Sequence, residues 1–302
     1  YTYAVLARSI VGVVSIYMIQ TWPIGLALSK QALKGLLKYG MKFQLNDFLA
    51  RIKDDLFVVV LARFLDPSQM GYVSWAKRWS LFPYQFSVNS IMSVTFPTFS
   101  RLQDNPEKLK RAIEKSMYFI TLVIFPILVG LSVFAFPMTE LIPKYAKWQP
   151  AIPSLYFFCI NVAFAAISSP LINTMNAIGK INSTLKLMIM WTILTWTLTP
   201  VAVYMFSYTG VAVASALIAA SSYATIWMVK KYVKIEAFDQ IWRQGVASVL
   251  MGGVLAWGLP YWERSFVWIG VGVMVGLMVY VGMCFTLGYK KLMFELNTLR
   301  MK

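Results

Sequence analysis

The spacing of charges constrains this chain more than any other feature. Charged residues are absent from 9 to 29, 79 to 100, 116 to 139, 244 to 262 and 265 to 289. Each run is close to the 17 to 25 residues that a helix needs to cross roughly 30 Å of hydrocarbon. The charge-free stretch 187 to 229 has room for two helices, and Ser207-Tyr208-Thr209-Gly210 near its middle has the chemistry of a tight hairpin. One further span is expected within 148 to 179, behind Pro150 and Pro153, and another over 41 to 62, which is apolar except for a charged middle. The expected total is nine, which predicts an all-α, polytopic integral membrane helical bundle. With 13% charged and 59% hydrophobic residues in 302, the chain departs from soluble domains, which carry about 25% charge.

A formal net charge of +16 would suggest nucleic-acid binding in a soluble protein. Here the cations sort by side. Nineteen lie on alternate connections: Lys30 to Lys42, Arg101 to Lys115, Lys180 with Lys186, Lys230 to Arg243, and Lys290 to Lys302. Six occupy the opposite connections: Arg63, Lys77, Arg78, Lys144, Lys147 and Arg264. The positive-inside rule makes the first set and the C-terminus cytoplasmic. Topology and anionic inner-leaflet lipid then account for the charge, and no nucleic-acid partner is expected.

Tyr1 is no initiator, and the first apolar run starts at once without a basic n-region, so it is not read as a signal peptide. An N-terminal truncation that removed an odd number of helices is expected. Cys159 and Cys284 lie in apolar spans over a hundred residues apart and read as small hydrophobes. The chain has no histidine. His-based metal sites, Ser-His-Asp catalysis and His proton relays are therefore excluded, and no metal or cofactor is expected.

Between the spans, RLQDNPEKLKRAIEKS predicts an amphipathic interfacial helix capped by Asn105 with Pro106 at its first position. Glu107 with Arg111, and Lys110 with Glu114, are i,i+4 pairs on it. The span from about Leu81 to Phe99 has Pro83 and Pro97 near its ends. Gly272 and Gly276 predict close packing of the last two spans. Trp75, Trp79, Trp148, Tyr261, Trp262 and Trp268 read as interfacial anchors.

Charges inside a span are costly and are usually kept for function. Asp47, Arg51, Lys53, Asp54 and Asp55 all fall in MKFQLNDFLARIKDDLFVVVLARFL. At about 100° per residue Asp47, Arg51, Asp54 and Asp55 share one arc, with Lys53 on another face. Arg51 can neutralise Asp47 and Asp55 at i,i+4, leaving Asp54 or Lys53 less committed. The strip either lines a transport cavity, where a buried carboxylate could carry a proton, or ties helices together. Gln85, Asn89 and Ser93 form a neutral stripe suited equally to sugar hydroxyls or to helix gluing. Asn161, Ser168, Ser169, Asn173 and Asn176 around Pro170 form a third polar cluster, read first as packing.

Three segments carry a family resemblance: LLKYGMKFQLNDFLARIKDDLFVVVLARFLDPSQMGYVSWAKRW, VTFPTFSRLQDNPEKLKRA, and SPLINTMNAIGKINSTLKL followed by TGVAVASAL. Together they resemble the polysaccharide-export branch of the multidrug, oligosaccharidyl-lipid and polysaccharide exporter superfamily. The resemblance implies the C-lobe of a two-lobe fold: 1–28 as the last helix of the first lobe, 29–42 as a basic linker, 43–234 as the second six-helix lobe, and 235–302 as two added helices. It implies a bacterial inner-membrane flippase for a polyprenyl-pyrophosphate-linked oligosaccharide, such as an O-antigen or exopolysaccharide repeat unit, working by alternating access. The chain would then be no enzyme. Its partners would be the lipid-linked substrate, membrane lipids, and the polysaccharide polymerase and chain-length machinery. Arg51, Lys53, Asn46, Gln85 and Asn89 are the cavity candidates, and Asp47, Asp54 and Asp55 the ion-coupling or salt-bridge candidates. A multidrug or metabolite antiporter of the same fold is the alternative, with a polysaccharide polymerase or glycosyltransferase behind it.

Overall fold

The computed structural model describes residues 2–19 and 29–300. Among them every regular element is helical. The order is α1 (Thr2–Ile19), α2 (Lys30–Arg51), a π-turn (Ile52–Leu56), α3 (Phe57–Leu61), α4 (Pro67–Arg101), α5 (Pro106–Leu141), a 3-10 segment (Ala146–Ala151), α6 (Ile152–Ala177) and α7 (Ile181–Phe206). There follow α8 (Thr209–Ala220), α9 (Tyr223–Lys230), α10 (Ala237–Trp257), α11 (Leu259–Trp262) and α12 (Phe266–Arg300). The all-α membrane fold expected from the charge spacing is the fold observed. Half of the expected first span, and Lys302 at the C-terminus, lie outside the described residues.

Five helical segments are long and apolar enough to cross a membrane: Pro106–Leu141, Ala146–Ala177, Ile181–Phe206, Thr209–Lys230 and Phe266–Gly288. Length and composition alone thus mark five of the expected spans among the described residues. The apolar part of α1, Tyr3–Ile19, is shorter. Charges run through α2, α4 carries Lys77 and Arg78 before its charge-free stretch, and α10 opens with Asp239, Gln240, Arg243 and Gln244.

The chain divides into two compact units, Tyr1–Met41 and Lys42–Lys302. The first holds α1 and the beginning of α2. In the second, Val88, Ile120, Ile124, Leu155, Phe158 and Val162 form a core shared by α4, α5 and α6. Toward one end Phe99, Leu109, Ile113, Leu171, Met175, Leu187 and Val229 form another. Phe134, Ala247, Met251, Leu255 and Tyr280 make a third, which seats α10 and α12 against α5. Lipid tails are as apolar as these side chains, so association rests on close fit and hydrogen bonds. Gly276 abuts the Leu255 side chain, and a Cβ on Gly252 would overlap Val129. The expected tight contact between the last two spans is present.

Two expectations are corrected by helix length and a third by a ring contact. The span placed at Leu81 to Phe99 is a 35-residue helix beginning at Pro67. A capping box starts it: the Asp66 carboxylate accepts from the Ser68 and Gln69 amides, and the Gln69 side chain accepts from the Asp66 amide. Lys77 and Arg78 therefore sit inside a helix and not in a connection. Likewise the basic interfacial helix is the opening of the 36-residue α5, capped by Asn105 as expected. It cannot lie flat apart from the bundle, because Leu109 and Ile113 are fully buried in the second core. Trp75 and Trp148, read as separate anchors, stack on one another with centroids 5.8 Å apart and planes 9° from parallel.

The hairpin between α7 and α8 forms where its composition placed it. Ser207 adopts φ 54° and Gly210 sits so close to the α7 backbone that a Cβ would overlap the Ala202 carbonyl.

Candidate functional site

A cavity of about 360 Å³ opens within the second unit. Its walls come from the π-turn and α3, from α4, and from α6, α7 and α8. On α4 the lining positions Met70, Val73, Ser74, Lys77, Ser80, Leu81 and Tyr84 recur at helical spacing and mark one continuous face. The facing walls bring Asn161, Ser168 and Ser169 from α6, Thr195 and Thr199 from α7, and Ser215 from α8. Phe57, Leu61, Phe158 and Val162 add apolar surface.

Three hydroxyls of this wall are turned into acceptors by their own helices. Ser168 donates to the Phe164 carbonyl, Ser169 to Ala165 and Ser215 to Val211. With its proton engaged there, Ser169 Oγ accepts from the Tyr84 phenol. Asn161 Nδ2 donates to the Ser215 carbonyl at 2.9 Å, so its side-chain oxygen is not used in that bond. The lining thus offers oxygen lone pairs to a ligand that carries hydroxyl donors. It offers ammonium donors at two places, Lys53 and Lys77.

The two lysines differ. Lys53 Nζ lies 2.8 Å from Asp54 Oδ1, so its charge is matched inside the cavity. Lys77 is half-buried on α4, and among the described residues it makes no ion pair. A half-buried ammonium without a carboxylate leaves an unbalanced positive charge on the cavity wall, attractive to an anion.

The expected sites scatter. Lys53 and Asp54 line the cavity, whereas Asp47, Arg51 and Asp55 are exposed away from it. The pairing expected through Arg51 is replaced by Lys53 with its immediate neighbour Asp54. The cause is the π-turn over Ile52–Leu56, whose wider loop breaks the 100° step on which the shared arc depended. Gln85 and Asn89 are exposed on another face of α4. The α4 stripe that meets the cavity is Ser74, Lys77, Ser80 and Tyr84, one residue out of phase with the expected one. Asn46 is buried and donates to Thr184 Oγ1 at 3.1 Å, and Thr184 donates in turn to Asn176 Oδ1 at 3.0 Å. It ties α2 to α7 and to the end of α6, apart from the cavity. The third polar cluster, read first as packing, supplies three cavity residues in Asn161, Ser168 and Ser169. Hydropathy alone begins the span at Leu81, four residues after Lys77; the Asp66 and Gln69 capping box is the signal that includes it.

Residues 2–153, half of the chain, match the family of polysaccharide biosynthesis proteins. The chain belongs to that family. It is similar to the lipopolysaccharide biosynthesis protein WzxC of Escherichia coli (strain K12), with 26% identity over 163 residues, which is 54% of this chain and 33% of WzxC. It is also similar to the succinoglycan biosynthesis transport protein ExoT of Rhizobium meliloti (strain 1021), with 28% identity over 123 residues, 41% of this chain and 25% of ExoT. The matched part thus spans a third or less of these curated relatives. Among solved structures the fold resembles the lipid II flippase MurJ in its inward closed conformation, with a TM-score of 0.68 at 16% identity, over 89% of this chain and 57% of MurJ. At that identity the likeness is one of fold. The resemblance to polysaccharide exporters rests on the family match and the two relatives.

Proposed function

We propose that this chain forms part of a transporter, and not an enzyme, that flips a polyprenyl-pyrophosphate-linked oligosaccharide across the bacterial inner membrane by alternating access. The observation that carries the reading is the cavity: a wall of hydroxyl acceptors suited to sugar hydroxyls, with the unpaired cation of Lys77 suited to a phosphate. Family membership and the names of WzxC and ExoT support it. Lys53 and Asp54 act as an internally balanced pair in this scheme, and Asp54 is the acid of the α2 to α3 strip placed to couple transport to an ion. Arg51, Asp47 and Asp55 lie outside the cavity lining. The basic ends of α6, α7 and α9 face the cytoplasm, as does the C-terminus. The polymerase and chain-length machinery that use the flipped repeat unit are its partners.

The test is complementation. Expressed from its own locus, the gene rescues surface polysaccharide in a strain lacking its flippase, and the Lys77→Gln variant rescues poorly. Efflux of organic cations without rescue of any of several matched glycans would overturn the reading in favour of a drug antiporter.

A further inference from the structure

Between Glu140 and Glu236 the chain has no acidic residue. The lysines of that stretch fall at the two ends of its helices. Lys180, Lys186, Lys230, Lys231 and Lys234 gather where α6 turns into α7 and where α9 stops, and all five are exposed. Direct contacts join these two places. Ser183 Oγ and the Tyr232 hydroxyl share a 3.1 Å hydrogen bond, and Lys180 Nζ stands 5.3 Å from the Tyr232 ring centroid. Lys231 Nζ lies 3.5 Å over the Trp227 ring. An aromatic face orients an ammonium group without cancelling its charge.

The nearby carboxylates are committed elsewhere. Glu114 and Glu236 both hold Lys110, and Asp239 holds Arg243. Among the described residues none of the five lysines makes an ion pair. Beyond the lysines the spanning segment Thr209–Lys230 exposes apolar surface on both sides of the turn between α8 and α9: Trp227 and Tyr223 on α9 and Leu217 on α8 are 57%, 72% and 61% exposed. This surface is separate from the cavity wall, which takes Ser215, Ile218 and Ser222 from the same segment. From Tyr223 to Lys231 is roughly 12 Å at the rise of a helix, within the roughly 15 Å depth of one leaflet.

We propose that the α6–α7 turn and the end of α9 form a headgroup site for an anionic diacyl phospholipid. Lys180 and Lys231 hold its phosphate, and its chains lie along Trp227, Tyr223 and Leu217. The outward position favours a bulk membrane lipid over the transported one. The site stands apart from the transport reading, since binding is measured without transport.

The full chain in mixed phosphatidylglycerol and phosphatidylcholine nanodiscs, released and examined by native mass spectrometry, retains phosphatidylglycerol selectively. The double variant Lys180→Gln, Lys231→Gln lowers that retention about tenfold, whereas Lys144→Gln, Lys147→Gln at the opposite end leaves it unchanged. Lys180→Arg, Lys231→Arg keeps it, which separates a charge effect from misfolding. Equal retention by the Gln double variant, equal retention of phosphatidylcholine, or displacement of phosphatidylglycerol by equimolar polyprenyl pyrophosphate would each overturn the proposal.

Discussion

Lys77 and Thr184 show how much one polar side chain can decide inside a bundle. If Lys77 supplies the cavity's free positive charge, Lys77→Gln lowers transport of an anionic glycolipid about tenfold while Lys77→Arg keeps most of it, measured by polysaccharide display at matched protein level. Asp54 is balanced by Lys53 at 2.8 Å. If it also couples an ion, Asp54→Asn abolishes the dependence of transport on an imposed gradient, whereas Asp47→Asn and Asp55→Asn leave it intact. Thr184 joins Asn46, Asn176 and the Ile181 carbonyl through one hydroxyl. Thr184→Val leaves the buried Asn46 amide and the partly buried Asn176 amide without that partner and costs about 1 to 3 kcal/mol, read as a lowered melting temperature in detergent. Gln244 points the other way. It is 2% exposed and its Oε1 has no hydrogen-bond partner among the described residues. Replacing an unsatisfied buried amide by an apolar group of similar length is neutral or favourable, so Gln244→Met holds or raises the melting temperature.

At the scale of elements, local chemistry was legible and phase was not. The Ser207 to Gly210 hairpin and the Asn105 cap are decided within four residues, and both form where composition put them. The start of α4 depends on Asp66 and Gln69, a signal hidden by reading hydropathy first; Lys77 and Arg78 look like a loop to a hydropathy scan. The Lys53 and Asp54 pair could not be anticipated, because no residue in IKDDL announces a π-turn. Hydroxyl clusters were ambiguous for a further reason: Ser168 and Ser169 differ from packing serines only in what faces them, which the sequence of α6 does not contain. The caps are testable. Asp66→Ala removes two capping bonds and costs about 1 kcal/mol. Gly210→Leu forces α8 off the Ala202 carbonyl, and the chain fails to accumulate in membranes.

For the molecule as a whole, α5 is the shared support. It packs against α6 and α4 and also seats α10 and α12. Tyr280 of α12 donates to the Leu122 carbonyl at 2.8 Å, and Gly252 of α10 lies against Val129. The last helices are thus fitted to the bundle through the same helix that helps form its first core. The proposed orientation is checked with single cysteines at the two ends of α7 in a background free of Cys159 and Cys284. Ser183→Cys reacts with an impermeant maleimide only after the cells are opened, and Ser207→Cys reacts in intact spheroplasts. The reverse pattern would invert the topology.

The π-turn has a genetic side. A π-turn is what a helix becomes when one residue is added and the ladder absorbs it. Removing a single codon from Ile52 to Leu56 would restore an ordinary helix and rotate everything before it by about 100°. One three-base deletion could therefore change which charges beside the turn meet the cavity without altering any other side chain. Relatives that differ by one residue here would be expected to differ in cargo before they differ in fold.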